Sequence, residues 1–321
     1  MNAVNDKPPA QNRRHGWLAF LLKALVTLTL LAWIATGIGI GPLLRQFNHI
    51  DAEWAAITLG LLVVQYAAMV ARWDLVLRKA FGLHLGLGRL SLVFGLGEVL
   101  GSFLPSFVGL DAIRTLALAR RAPFTTVARS VIVDRVFGLA ALLFLIAVTL
   151  PTFESVPNLL PTIPWLGLAS IGGLIALAVM MLGADHWGAI PYAGRVVAPV
   201  ARDLRAAWTD LPLSFGVIVT GIVVQLFSVA LIWSLGRMVG ADLGLMNCLR
   251  IVPAALLIAA VPVSVGGWGI REGAIVGGFA LLDGDTAAAG AASIAFGITG
   301  ILSGTIGIVV PWLLELRRGP A

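Results

Sequence analysis

The chain of 321 residues is poor in charge: Asp, Glu, Lys and Arg together make up 12% of it. A water-soluble domain carries about 25%. That shortage, with 59% hydrophobic residues and a mean hydropathy of +0.97, excludes a soluble globular protein and makes a bilayer the main solvent. Cysteine is almost absent. The single Cys248 cannot close an intramolecular disulfide and reads as a small packed hydrophobe, so no redox or metal role follows. The four histidines, His15, His49, His84 and His186, show no metal-ligand spacing. Nucleotide loops are missing too: GIGIG at 37–41 follows no strand, and no ATP motif occurs elsewhere. Ser264 has no histidine base in its neighbourhood, which argues against a nucleophile. Stretches of alternating polarity are lacking, which excludes a transmembrane barrel.

What is there is a series of continuous apolar runs. The fold class expected is an all-α polytopic membrane protein with about six full transmembrane helices, at 17–40, 53–71, 130–150, 164–183, 212–235 and 286–314. The run from Trp17 is preceded by Lys7, Arg13 and Arg14. It is longer than a signal-peptide core and has no cleavage site after it, so it reads as an uncleaved first span. Residues 1–16 would be a cytoplasmic tail and 17–316 a single transmembrane domain.

Two further segments are apolar but too short to cross. The arm before Pro105 and the arm from Asn247 to Val261 each hold about fifteen residues, against the ~20 a span requires. Both end in Pro and Gly. Broken backbone at membrane depth is tolerated only when buried in protein or lining a wet cavity, so both are expected to be re-entrant helical hairpins. If each returns to the side it came from, sixteen of the 22 basic residues flank the cytoplasmic face and only Arg45, Arg237 and Arg250 flank the other. The positive-inside rule then places both termini in the cytoplasm of a bacterial inner membrane. The same bias accounts for the net charge of +6 without nucleic acid as a partner.

The hairpins share a pattern. Residues 104–114 read LPSFVGLDAIR and residues 261–271 read VPVSVGGWGIR, with Pro105, Val108, Gly109, Ile113 and Arg114 matching Pro262, Val265, Gly266, Ile270 and Arg271. Three full spans lie between them, so they would be inverted repeats, near 90–150 and 247–314, meeting around a substrate site. Each proline would end a half-helix. Gly109 and the Gly266, Gly267 and Gly269 turn would unwind, and a second half-helix would start near Ile113 or Ile270. Free amides at such a start, plus an arginine in the first turn, suit phosphate or carboxylate. The candidate substrate-binding residues are therefore Arg114, Arg271, Gly109, Gly266, Gly267, Gly269 and Ser264.

Supporting or gating roles fall to Asp111, Asp134, Arg135, Glu272 and Glu98. A purely structural alternative pairs Arg114 with Asp111 and Arg271 with Glu272 or a carbonyl. Asp134 and Arg135 read as a buried pair that locks helix to hairpin, or as a gate and substrate contact, and Glu98 as a lone carboxylate that takes a proton or bonds the turn. Arg72-Trp73-Asp74 reads as an interfacial anchor closing the second span.

At these residues the chain resembles the lysylphosphatidylglycerol synthase transmembrane region, a flippase-like family. The resemblance rests on Leu104-Pro105, Gly109, Asp111 and Arg114; on Asp134-Arg135; and on Pro262, Ser264, Gly266-Gly267, Gly269 and Arg271-Glu272, and it covers residues 15 to 315. It implies an integral domain that moves or holds a lipid: aminoacylated phosphatidylglycerol in the multiple peptide resistance factors, and polyprenyl-linked sugars or hopanoid metabolism elsewhere. The two-part synthases add a soluble aminoacyl-transferase domain. The longest polar stretch here, 184–211, is far shorter, so no such enzyme is expected.

The expected function is to bind an anionic phospholipid or a polyprenyl- or hopanoid-type lipid and assist its crossing, with no cofactor. The alternatives are an accessory factor serving a lipid-modifying enzyme and, more remotely, an intramembrane transferase.

Overall fold

The computed structural model describes residues 10–47, 50–102, 107–190, 193–261 and 263–318, and is helical throughout with no strand among them. Twelve α-helices follow in order: α1 Ala10–Ile38, α2 Ile40–Arg45, α3 Ala52–Phe81, α4 Leu87–Gly101, α5 Phe107–Leu118, α6 Phe124–Thr149, α7 Ile163–Leu182, α8 Ala193–Thr209, α9 Leu211–Met238, α10 Leu245–Ala259, α11 Ile270–Ala280 and α12 Thr286–Arg318. Their starts are written locally. Asp51 accepts from the amides of Glu53 and Trp54 ahead of α3, Asp210 from Leu213 ahead of α9, and Asp285 from Ala287 and Ala288 ahead of α12. Gly82, in the left-handed region at φ 65°, stops α3.

Five segments among the described residues are long and apolar enough to span a membrane: Ala52–Phe81, Phe124–Ser155, Pro157–Leu182, Leu211–Met238 and Thr286–Leu313. The described apolar part of α1 runs from Leu21 to Gly37. α7 shows what the solvent must be. Only Ser170 of its twenty residues is buried, while Trp165, Leu168, Ile171, Ile175, Val179 and Leu182 all stand exposed. An apolar surface of that extent is incompatible with water and ordinary against lipid. α8 is of the other kind, amphipathic, as a helix lying along an interface is.

Full helices outrun the expected spans at their polar ends. α3 continues to Phe81, ten residues past the expected boundary, and α6 begins at Phe124 rather than 130. Arg72-Trp73-Asp74 is consequently not an interfacial anchor. Trp73 is fully buried and Arg72 nearly so, packed on α6.

α3 and α9 form the central pair and are cross-linked by polar residues a heptad apart. The Thr58 hydroxyl donates to Ser234 Oγ at 3.0 Å, and the Gln65 amide donates to Ser228 Oγ at 2.7 Å and the Val224 carbonyl at 3.2 Å. Arg72 continues the series onto α6, donating from Nε to Asp134 at 2.7 Å. In an apolar surround such bonds fix register, since every slipped alternative leaves polar groups bare.

One end of the bundle gathers Phe81, Arg129 and Asp203, joining α3, α6 and α8. Burial pushes the Asp203 carboxyl above its ordinary value despite Arg129 beside it, whereas the hydrogen bonds from Arg205 hold exposed Asp185 below its own. The opposite end gathers Phe47, Phe153, Leu235, Leu243 and Cys248.

Candidate functional site

The two short-armed segments are antiparallel helical hairpins. In the first, a Cβ on Gly101 would stand 2.5 Å from Leu110 Cβ, and one on Gly97 would stand 3.0 Å from Arg114 Cγ, so these glycines let α4 and α5 close on each other. Its mouth, Leu90 and Leu118, packs in one cluster with Val127 and Val131 at the start of α6. The second hairpin, α10 and α11, closes where Gly278 meets Ile251, and its mouth packs with Leu145 near the end of α6 and with Phe153 just beyond. Because α6 runs from one mouth to the other, the hairpins open at opposite ends of the bundle. Their tips meet: the Ser102 carbonyl, just past α4, lies 3.2 Å from where a Cβ of Gly266 would be.

The tips differ in construction. Leu104, Pro105 and Pro262 lie outside the described residues. α5 begins at Phe107, so Gly109 is helical, and Arg114 sits in the helix's second turn rather than its first. The expected start near Ile113 was too late, because nothing from Phe107 to Ile113 forbids a helix and a single glycine costs only about 1 kcal/mol. In the second hairpin α11 begins at Ile270 as expected, with Arg271 in its first turn. The turn before it needs glycine for backbone reasons: Gly266, Gly267 and Gly269 have φ of 57°, 79° and 85°. Gly269 also presses on α1, where a Cβ would stand 2.8 Å from Leu30 Cβ. Thr27 of α1 ties the same turn, accepting from the Val265 amide at 2.9 Å.

Each arginine has found a carboxylate, and not always the expected one. Arg114, 2% exposed, donates from Nη2 to Glu98 Oε1 at 3.0 Å across the hairpin and lies on the Phe94 ring, its guanidinium carbon 3.4 Å from the centroid. Glu98 is therefore not a lone carboxylate. Asp111, the partner proposed for Arg114 in the structural alternative, instead accepts a fork from Arg135 at 2.9–3.0 Å, joining α5 to α6. Asp134 and Arg135 do not pair with each other. Consecutive helical residues point in different directions, so Asp134 turns to Arg72 and Arg135 to Asp111. In the second hairpin the expected Arg271–Glu272 pairing is present. Glu272, wholly buried, accepts from Arg271 and, through Oε2, from the Gly269 amide at 2.6 Å. Arg271 stacks between Trp268 and Phe296 at 5.0 and 5.4 Å.

α12 is the wall both hairpins share. A Cβ on Gly297 would stand 2.5 Å from Arg271 Nη2 and also strike Trp268; one on Gly304 would stand 2.9 Å from Glu98 Cβ; and Gly307 is covered by Tyr66. Seven residues of helix separate Gly297 from Gly304, about 10 Å. The Arg271–Glu272 and Arg114–Glu98 pairs thus sit two turns apart along one helix. Two polar atoms here are buried without a hydrogen-bond partner among the described residues, Arg114 Nε and Ser264 Oγ. Sequence reasoning missed Arg72, Tyr66, Trp268 as a stacking partner, and the α12 glycines. Only the G-x2-G-x3-G-x2-G spacing from Gly297 to Gly307 offered a signal.

Long lipid-facing helices around two charged hairpins that meet tip to tip define a polytopic membrane protein with its polar chemistry concentrated between broken helices. The chain belongs to the lysylphosphatidylglycerol synthase TM region family, whose model matches residues 20–307. Membership fits a lipid-related role in the membrane. Among the curated proteins and the solved structures compared, none matches.

Proposed function

We propose that the protein binds an anionic lipid, or a lipid-linked anionic headgroup, between the hairpin tips and assists its movement across the bilayer without altering it covalently. The observation that carries this reading is the contact of the tips, Ser102 against Gly266, beside two arginine–carboxylate pairs. Placing ionised pairs at such depth is costly, and that cost is ordinarily met where a polar cargo passes. A headgroup phosphate would compete with Glu98 for Arg114 and with Glu272 for Arg271, and would meet Ser264 Oγ. Asp111, Arg135, Asp134 and Arg72 would hold the hairpin against α6 while it did so.

In this reading the hairpins are re-entrant, the end carrying Arg129 and Arg205 faces the cytoplasm of a bacterial inner membrane, and both termini lie on that side. Single cysteines at positions 84 and 122 in a Cys248→Ser background would both be labelled from the cytoplasm; labelling from opposite sides overturns the layout. The lipid is tested by native mass spectrometry of gently extracted protein. Because removing one partner of a buried pair strands the other, the variant neutralises both: Glu98→Gln with Arg114→Gln, and Arg271→Gln with Glu272→Gln. Selective retention of one anionic lipid by the parent, lost in a variant that elutes as a folded protein, is the expected result. Equal retention of bulk lipid overturns the headgroup site.

A second reading has one observation in its favour: every arginine at the tips is already engaged by an internal carboxylate. Such a tip could serve as a rigid support in an accessory factor for a lipid-modifying enzyme. It would tolerate the neutral variants and respond instead to changes on the exposed faces.

A further inference from the structure

Away from the tips, on the outer flank of the second hairpin, an open groove of about 300 Å³ runs between α10, α11 and the segment leading into α7. Its lining is almost wholly apolar, including Trp165, Leu166, Ala254 and Ile258, and Arg250 stands in it. Arg250 to Ile258 is eight residues of helix, about 12 Å, so the groove extends from a charged end along an apolar floor.

The state of Arg250 distinguishes this groove from a packing fault. Its Nε donates to Thr152 Oγ1 at 3.2 Å, its Nη1 to Asn247 Oδ1 at 3.2 Å and its Nη2 to Ser155 Oγ at 2.9 Å. All three acceptors are neutral. The Thr152 and Ser155 hydroxyls donate their own protons to the carbonyls of Thr149 and Thr152. Among the described residues no carboxylate lies within 4 Å of the guanidinium, in contrast to Arg72, Arg114, Arg135 and Arg271. The side chain is oriented but not neutralised. Of the five N–H donors of a guanidinium, three are engaged here, which leaves one on each Nη to donate to the oxygens of a phosphate.

We infer that this groove is a binding site for an anionic phospholipid, the phosphate on Arg250 and part of one acyl chain on the Trp165 side of α10. The charge supplies the headgroup preference and the apolar floor the chain preference. Neither alone would select a phospholipid over an inorganic anion or over neutral lipid. In the orientation proposed above the lipid would come from the outer leaflet. The site lies at the mouth of the second hairpin rather than its tip, so it stands whether or not the tips carry a headgroup.

The test uses Trp165, which is 74% exposed in this groove. Full-length protein is reconstituted in nanodiscs containing brominated phosphatidylglycerol or brominated phosphatidylcholine. The Trp165 contribution to quenching is taken as the difference between the parent and Trp165→Phe. The expected result is a preference for phosphatidylglycerol of roughly tenfold, lost in Arg250→Gln, partly kept in Arg250→Lys, and unchanged in the variant neutralised at both tips. Equal quenching by the two lipids in the parent overturns the site. So does a preference that survives Arg250→Gln, or one abolished by millimolar inorganic phosphate, which would mark a free-anion site. Arg250 pairs only with neutral groups, so its replacement strands no buried charge; elution as a monodisperse peak confirms that each variant is folded.

Discussion

The two hairpins carry the same eleven-residue pattern and solve the same problem differently. In the first, the arginine lies in the second turn of its helix and reaches across to Glu98 on the opposite arm, so the ion pair clasps the hairpin shut. In the second, Arg271 lies in the first turn and finds Glu272, its chain neighbour, which also holds the Gly269 amide. The first is stapled arm to arm, whereas the second is wired within a single turn and leans on α1 as well as on the α12 wall that both share. Matching letters therefore do not make matching sites. The arginines align in sequence, but the helix starts do not, because three positive-φ glycines delay α11 and no positive φ occurs from Phe107 to Ile113.

The sharpest way to break the comparison is to remove each carboxylate separately. Glu272→Gln leaves the Arg271 guanidinium buried with no counter-charge and should cost about 3–5 kcal/mol, read as a fall in unfolding temperature in detergent; a loss near zero would show that the pair does not hold the turn. Gly297→Ala tests the wall on which that turn rests. Its Cβ would collide with Trp268 and Arg271, for an expected loss of about 1–3 kcal/mol. Gly300→Ala, with nothing within 4 Å, should be neutral or stabilising by up to about 1 kcal/mol through helix propensity. If the two alanines behave alike, α12 is not the shared wall.

Glu98→Gln should cost less than Glu272→Gln, about 1–2 kcal/mol. Arg114 is no less buried than Arg271, but Glu98 accepts one hydrogen bond where Glu272 accepts three, and Asp111 stays close enough to offset part of the Arg114 charge. An equal or larger loss would reverse the ranking of the hairpins.

The smallest effect belongs to a pair outside both hairpins. Asp203 faces Arg129 at 3.2 Å, yet burial outweighs the cation and raises its pKa. A carboxyl whose pKa is higher folded than unfolded favours folding in its neutral form, a contribution present at low pH and lost as pH rises through the folded value. Asp203→Asn should thus change stability by less than about 1 kcal/mol at neutral pH and flatten its dependence on pH in the acid range. A large loss at neutral pH would mean that the Arg129 pair dominates after all.

Much of the architecture was legible because the signals are local. Fifteen-residue arms and continuous apolar runs each act within a few residues, and α4 and α10 have the expected length. The start of α11 was legible for the same reason, since a run of positive φ values favours glycine. The candidate residues of both tips were named, but the wiring among them was not. Glu98 was left without a partner, the lock of helix to hairpin was placed at Asp134 and Arg135 without their partners Arg72 and Asp111, and Arg72 was placed at an interface. Each of those errors concerns a side chain whose partner lies on another helix.

By itself the sequence determined the solvent, the helical class, the two broken segments and the residues that carry their charge, because hydropathy, helix length and glycine backbone freedom are properties of neighbouring residues. Only the tertiary structure decided which carboxylate each arginine meets. Arg72 and Asp134 are 62 residues apart, and Arg114 and Glu98 are 16 apart on opposite arms. Such pairings depend on helix rotation and side-chain reach, and those are fixed when the helices pack, not when they form.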